Sequence, residues 1–395
     1  MTWPEVPIGQ LCELVNGRAF KPSDWTEDGL PIVRIQNLND PDAPFNRFNG
    51  EVRDRFLISS GALLFSWSGT PGTSFGAFFW HRGRAVLNQH IFHVLVRKGV
   101  DANYFRYAIN ARIDSIIAQA HGGVGLQHIT KDKLEATPLP LPPLPEQRRI
   151  ADILDKADAV RRKRKETIAL TEELLRSAFL EMFGDPVTNP KGWPVEPMGQ
   201  AIDRFEAGWS ANGDARERAG DEYGVLKVSA VTSGYFRPEE HKAVAAAEVD
   251  RELVTPRQGD LLFSRANTRE LVAACCLIER DEPKLFLPDK LWRIVAAGRV
   301  ATPEYLKFLL GHGRFRSELT KRATGTSGSM LNISMEKVRT MEMPVPPIVL
   351  QKRFSSFVWQ AYRLRGRLAH AGGASDDLFG ALAQRAFRGE LGAAA

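Results

Sequence analysis

The sequence predicts an α+β protein: two similar domains, each a curved β-sheet with small helices, separated by two long antiparallel helices that form a coiled-coil-like spacer. Three observations predict it. Much of the chain is written twice, long helical stretches, the first free of Gly and Pro from Glu146 to Phe183, contrast with short strand-like runs, and a proline cluster stands at each passage from one texture to the other. The expected division is a first domain over 1–144, a first long helix over 145–184, a second domain over 185–345 and a second long helix over 346–395, with a break or kink at 372–374.

The duplication is explicit. Trp3-Pro4 recurs as Trp193-Pro194, and GALLFS ending at Ser66 recurs as GDLLFS ending at Ser264. PLPPLPEQRRI, ending at Ile150, recurs as PVPPIVLQKRF, ending at Phe354, and Ser177-Ala178-Phe179 is echoed by Arg385-Ala386-Phe387. The period is far too long for a solenoid repeat. It describes a domain-plus-helix module used twice, and such a pair suits a twofold partner such as duplex DNA.

In each domain, short runs bounded by Gly, Pro, Asn and Asp read as strands. Examples are 31–35, 62–66 and 90–96 in the first, and 224–228, 260–264 and 291–295 in the second. One helix per domain is expected, over about 102–120 and 303–319, where apolar residues fall at helical spacing. A glycine loop comes after each, at 121–126 and 324–329, leading into His128-Ile129-Thr130 and Asn332-Ile333-Ser334. The cluster Pro138–Pro145 should continue neither sheet nor helix, while Pro145 itself suits the first turn of a new helix. From there to Phe183 an apolar stripe through Ile150, Ile153, Leu154, Leu174, Leu175, Ala178 and Phe179 specifies a helix roughly 55 Å long at ~1.5 Å per residue. So long a helix needs a like partner, found in the second copy. There Gly372 and Gly373 each cost about 1 kcal/mol against alanine, and Ser375 or Asp376 would cap a new helix, hence the expected break.

Bulk properties narrow the class. A chain of 395 residues holds more than one core, and 43% hydrophobic with 25% charged residues is ordinary for a globular protein. No apolar run reaches the ~18–20 residues of a membrane span, and no secretory leader is visible, so a cytoplasmic location is expected. Cys12, Cys275 and Cys276 have neither disulfide nor metal-ligand spacing. The net charge of +6 is modest, but Arg161-Arg162-Lys163-Arg164-Lys165 is a run of five cations.

Catalytic signatures are missing. Asn189-Pro190 is followed by Lys191 and Gly192, not by the Pro-Tyr or Pro-Phe of a base methyltransferase, and no Walker loop occurs. Pro288-Asp289 lacks a following Glu-x-Lys at strand spacing, which argues against a nuclease core. The histidines have no carboxylate or thiol cluster beside them, so no metal site is expected.

The repeated GALLFS/GDLLFS strand, the glycine loop with its HIT or NIS sequel, the proline run into EQRRI and the helix ending RSAFLEMFGD together resemble the specificity subunits of type I restriction–modification enzymes. The resemblance covers nearly the whole chain. It implies that each domain is a target-recognition domain reading one half of a bipartite, asymmetric DNA site, and that the helices set the spacing and dock two methyltransferase (modification) subunits. It further implies that restriction/translocase subunits join that core and that this subunit catalyses nothing. No cofactor is implied in this chain; S-adenosylmethionine, ATP and Mg are implied on the partner subunits.

Base readout needs polar side chains on rigid edges. The candidates in the first domain are Arg34, Gln36, Asn37, Ser66, Ser68, Asn88, Gln89, His90, Gln127 and His128. Those in the second are Lys227, Ser229, Arg265, Asn267, Arg269, Asp289, Lys290, Ser327, Ser329 and Asn332. The run Arg161–Lys165 reads as a solvated helix face, as a contact to the phosphates of the unread spacer, or as a contact to a partner subunit. Two other readings share the sequence: a recognition scaffold of another methyltransferase-based defence system, and a protein–protein adaptor that does not bind DNA.

Overall fold

The structure is a computed structural model describing residues 3–40, 42–69, 75–119, 127–325 and 330–391. The chain divides into two compact units, residues 1–165 with 371–395, and residues 166–370. Each unit therefore takes a globular part and one portion of each long helix.

In the first unit a four-stranded antiparallel sheet has the strand Ile91–Val96 between Cys12–Asn16 and Leu63–Ser66, with Gly76–Phe79 at the edge. Its apolar side carries Leu14, Leu63, Phe65, Phe92 and Val94 into a core shared with Tyr104, Phe105 and Ala108. A second sheet, ordered Asn46–Phe48, Leu30–Val33, Ala85–Leu87 and Leu57–Ile58, contains one parallel pairing, Ile32 beside Val86. The second unit repeats the plan. Leu291–Ala296 lies between Ile202–Ala207 and Leu261–Ser264, with Cys275–Leu277 at the edge, and Tyr223–Leu226 pairs in parallel with Leu285–Phe286.

The helices differ in detail from the periodicity. The segment from Ala102 is two helices, Ala102–Ala111 and Ile113–Ala118, parted at Arg112, which has φ −101° and ψ 5°. Its counterpart is also two, Pro303–Gly311 and Gly313–Lys321, parted at His312. The proline cluster does continue a sheet: Pro138–Pro140 pairs antiparallel with Glu5–Pro7, and Glu342–Pro344 with Val195–Pro197. A two-stranded ribbon is all edge, where a proline without an N–H breaks no interior ladder. Buried tyrosines tie these corners to the helices, Tyr104 donating to the Pro140 carbonyl and Tyr305 to that of Pro344, both at 2.7 Å.

The long helices run Leu144–Phe183 and Ile348–Phe387. In the first unit they pack antiparallel: Arg149 reaches the Leu391 carbonyl at 3.0 Å, Arg161 pairs with Asp376 at 2.5 Å and Arg164 donates to the Ala371 carbonyl at 2.7 Å. In the second unit Phe179 and Phe183 pack edge-on against Phe354 at 5.8 and 5.3 Å between ring centroids. The break expected at 372–374 is not there; the second helix continues through both glycines. Neighbours outweigh propensity. Arg164 and Ser375 both donate to the Ala371 carbonyl, and Asp376, instead of capping a new helix, engages Arg161.

Candidate nucleic-acid interface

Each unit carries one surface on which three chain segments are locked side by side. In the first, the core strand ending at Ser66 runs through Trp67 into Ser68–Gly69, which pairs with Gln127–His128. The Trp67 amide donates to the His90 carbonyl at 3.3 Å, and the Trp67 carbonyl accepts from Ile129 at 3.1 Å. In the second, Ser264 leads through Arg265 into Ala266–Asn267, paired with Leu331–Asn332. The Arg265 amide donates to the Lys290 carbonyl at 3.1 Å, and its carbonyl accepts from Ile333 at 2.9 Å. The backbone thus equates Trp67 with Arg265, His90 with Lys290, and His128 with Asn332. The frame is one; the side chains on it differ.

Glycine closes each frame from behind. A Cβ on Gly17 would lie 2.2 Å from the Asn88 carbonyl oxygen, and one on Gly208 would lie 1.7 Å from that of Leu287. Only glycine lets the neighbouring strand come so near.

In the first unit five of the sequence candidates converge. Arg34, Gln36, Asn88, Gln89 and His90 line a cleft of about 220 Å³ with Phe20 and Trp25. Trp25 is 41% exposed, and the Arg34 guanidinium lies 5.8 Å from its ring while donating to Asn46 at 3.1 Å. His90 packs on Trp67 at 5.4 Å. Burial first, then the neighbouring Arg34 and His128, hold the His90 pKa below its ordinary value, which favours the neutral ring. The cleft is rich in donors with two aromatic walls. It can approach base edges and stack against an exposed ring or sugar.

In the second unit Arg265 donates through Nε to the Asp289 carbonyl at 2.9 Å and pairs with its carboxylate at 3.6 Å. Ser210 also hydrogen-bonds that carboxylate. Lys290, Asn267 and Asn332 are partly exposed and Arg269 is exposed. This surface therefore offers an acceptor, Asp289, as well as donors.

Some candidates sit elsewhere. Asn37 and Ser66 are fully buried. Asn37 accepts from the Arg34 amide and donates to the Ala43 and Pro44 carbonyls, so it closes its own loop and offers the surface nothing. Ser66 faces inward as the last residue of a wholly buried strand, and Ser68 is nearly buried. Lys227 and Ser229 are both turned to Glu240, at 3.8 and 2.7 Å. The Gln127 side chain, Ser327, Ser329 and the glycine-loop residues 121–126 and 328 lie outside the described residues. The basic run divides by helix face. Arg161 and Arg164 bind the second helix, Arg162 pairs with Asp158 at 3.2 Å, and Arg162, Lys163 and Lys165 are exposed.

Sequence reasoning missed Trp25 and Trp67 in the first unit and Trp209 in the second. Trp209 stacks on Phe286 at 5.8 Å, with Arg251 4.5 Å above its ring. The available signal was a tryptophan among turn formers, as in Pro22-Ser23-Asp24-Trp25. Among the described residues no group of three or more His, Cys, Asp or Glu comes together as a metal ion would require. No described helix is long and apolar enough to cross a membrane.

Comparison with known proteins finds one family's members throughout. Residues 1–171 match the type I restriction modification DNA specificity domain. The chain is also 23% identical to the specificity subunit of the type I restriction enzyme EcoKI of Escherichia coli K12, over 98% of this chain and 89% of that one. Along nearly its whole length, then, the chain is similar to a type I specificity subunit. Similarity to the EcoEI specificity subunit of Escherichia coli is higher but shorter, 28% identity over 184 residues, which is 46% of this chain and 31% of that one. Among solved structures, the S subunit of a type I restriction–modification system from M. genitalium superposes with a TM-score of 0.60 at 14% identity, covering 98% of this chain and 96% of that one. The specificity-subunit fold is thus shared well beyond the stretch matched by the family.

Proposed function

We propose that the chain is the non-catalytic DNA-recognition subunit of a type I restriction–modification complex. Each unit reads one half of a bipartite, asymmetric site, and the long helices set the spacing and dock methyltransferase subunits. Restriction/translocase subunits complete the assembly. S-adenosylmethionine, ATP and Mg belong to those partners in this reading.

One observation carries it: the same three-segment frame is built twice and dressed differently. Trp67, His90 and His128 in one unit answer to Arg265, Lys290 and Asn332 in the other. A shared frame with exchanged side chains is what reading two unlike half-sites requires.

The test is co-expression with a methyltransferase subunit, followed by methylome sequencing. The expected product is a split asymmetric motif with N6-methyladenine on both strands. Exchanging residues 1–140 for those of a relative should change one half of the motif only. A change in both halves, or in neither, overturns the assignment.

A further inference from the structure

The second unit holds a cationic cavity that recognition of bases does not use. It measures about 460 Å³ and lies between the helix pair Pro303–Gly311 and Gly313–Lys321, the loop before Cys275, and the first long helix. Arg176, Lys307 and Arg316 line it, and no carboxylate does among the described residues. Phe179 and Phe308 supply an apolar wall.

These cations are not spent on acids. Lys307 points its ammonium among rings, 4.0 Å from the centroid of Phe308 and 5.3 Å from that of Tyr235, and forms no ion pair among the described residues. Burial holds its pKa below the ordinary value; Glu172 is the one carboxylate acting on it, and Arg176 opposes that. Arg316 donates to backbone, to the Val272 carbonyl at 3.0 Å and the Glu270 carbonyl at 2.7 Å.

The matching cavity in the first unit shows that this imbalance is particular. There Arg106 stands where Lys307 stands, and it is paired with Asp155 at 3.0 Å. Arg161, on the same wall, is paired with Asp376 and Asp158. In that cavity Arg106 and Arg161 are each answered by a carboxylate. The other leaves the partly buried Lys307 and Arg316 without an acid partner among the described residues, and partly buried cations without counter-ions are costly unless an anion completes them.

We propose that the cavity of the second unit is a phosphate site, with Arg176, Lys307 and Arg316 as its ligands. The phosphate comes either from a duplex backbone or from a free phosphorylated molecule. The duplex source rests on the proposed DNA recognition; the site itself does not.

The experiment uses the full chain. Its melting temperature is measured with inorganic phosphate against chloride at matched ionic strength, for the natural protein, Arg176→Ala and Lys307→Met. Phosphate should raise Tm in the natural protein and not in either variant. Lys307→Met keeps the apolar stem, so both variants remain folded enough to read, and circular dichroism in chloride checks this. No phosphate-specific rise, or an equal rise in all three, overturns the proposal. The salt dependence of binding to a non-specific duplex then separates the sources. A slope smaller by about 0.9 in Arg176→Ala is one lost backbone phosphate. An unchanged slope with a lost Tm response assigns the site to a free phosphorylated ligand. Methylome data on the same variants stay independent, so failure of the site and failure of the recognition reading are distinguishable.

Discussion

Gln147 and Gln351 stand at the same point of the two units and make the same three hydrogen bonds. Gln147 donates to the carbonyls of Pro142 and Gly99 and accepts from the Asp101 amide. Gln351 donates to Pro346 and Val300 and accepts from the Thr302 amide. Both are fully buried. Each clamps the start of a long helix to the N-cap of a domain helix, whose caps Asp101 and Thr302 accept from the amides of Tyr104 and Tyr305. Replacing either with Leu strands an amide and two carbonyls in the interior. Gln147→Leu and Gln351→Leu should each cost about 2–4 kcal/mol in urea unfolding. A loss below about 1 kcal/mol would show that the clamp is not structural.

The unbroken helix through Gly372 and Gly373 makes the opposite forecast. A Cβ at either position meets nothing within 4 Å. Alanine at each should raise stability by about 1 kcal/mol, read as a higher unfolding midpoint with unchanged helicity. A lower midpoint would mean that the glycines serve a bend.

Gly17 and Gly208 are different because the backbone opposite leaves no room. Gly17→Ala and Gly208→Ala should each lower stability by about 2–4 kcal/mol. Because Gly17 backs the turn at Asn88, its variant should also weaken duplex binding at temperatures where it is still folded. Tolerance of both alanines would refute the close approach.

His90 and His93 should make the protein acid-sensitive. Burial is the leading cause for both, and it holds each pKa below the ordinary 6.5. The unfolded chain then binds more protons than the folded one, so stability is full above about pH 6.5 and is lost as the pH falls through the folded values. Melting temperatures between about pH 7.5 and 5.5 should decline, and His90→Gln with His93→Gln should flatten that decline. An equal slope in the double variant would place the titration elsewhere.

Leu170 and Leu174 lie one turn apart on the first long helix, 55% and 54% exposed. Buried against a partner, each would contribute about 1.5–3 kcal/mol. Replacing both with Gln should leave the melting temperature within about 1 °C, since exposed substitutions change little, yet abolish co-purification with a methyltransferase subunit. Retained co-purification would move the docking surface off this face.

Much was legible from patterns that act locally. Short apolar runs and glycines marked the strands, the apolar stripe from Ile150 on, resumed after a polar middle and free of Gly and Pro up to Phe183, marked a helix, and the doubled GALLFS and EQRRI segments marked a doubled fold. Five candidates sharing the first unit's cleft were legible too, because residues after strand ends gather on one edge of a sheet. Asn37 and Ser66 were misjudged because a polar type does not reveal which way its side chain points. The basic run was half misjudged for the same reason: Arg161 and Arg164, three apart, share the face that meets the second helix.

By itself, the sequence determined that the chain is a duplicated domain-and-helix module, because periodicity and repetition are properties of order along the chain. Tertiary structure alone decided that Gly372 and Gly373 stay helical, that the paired glutamines carry the joints, and that Arg106 meets a carboxylate where Lys307 meets only rings. Those outcomes depend on neighbours far away along the chain, whose hydrogen bonds, burial and charge outweigh local preferences of about 1 kcal/mol per residue.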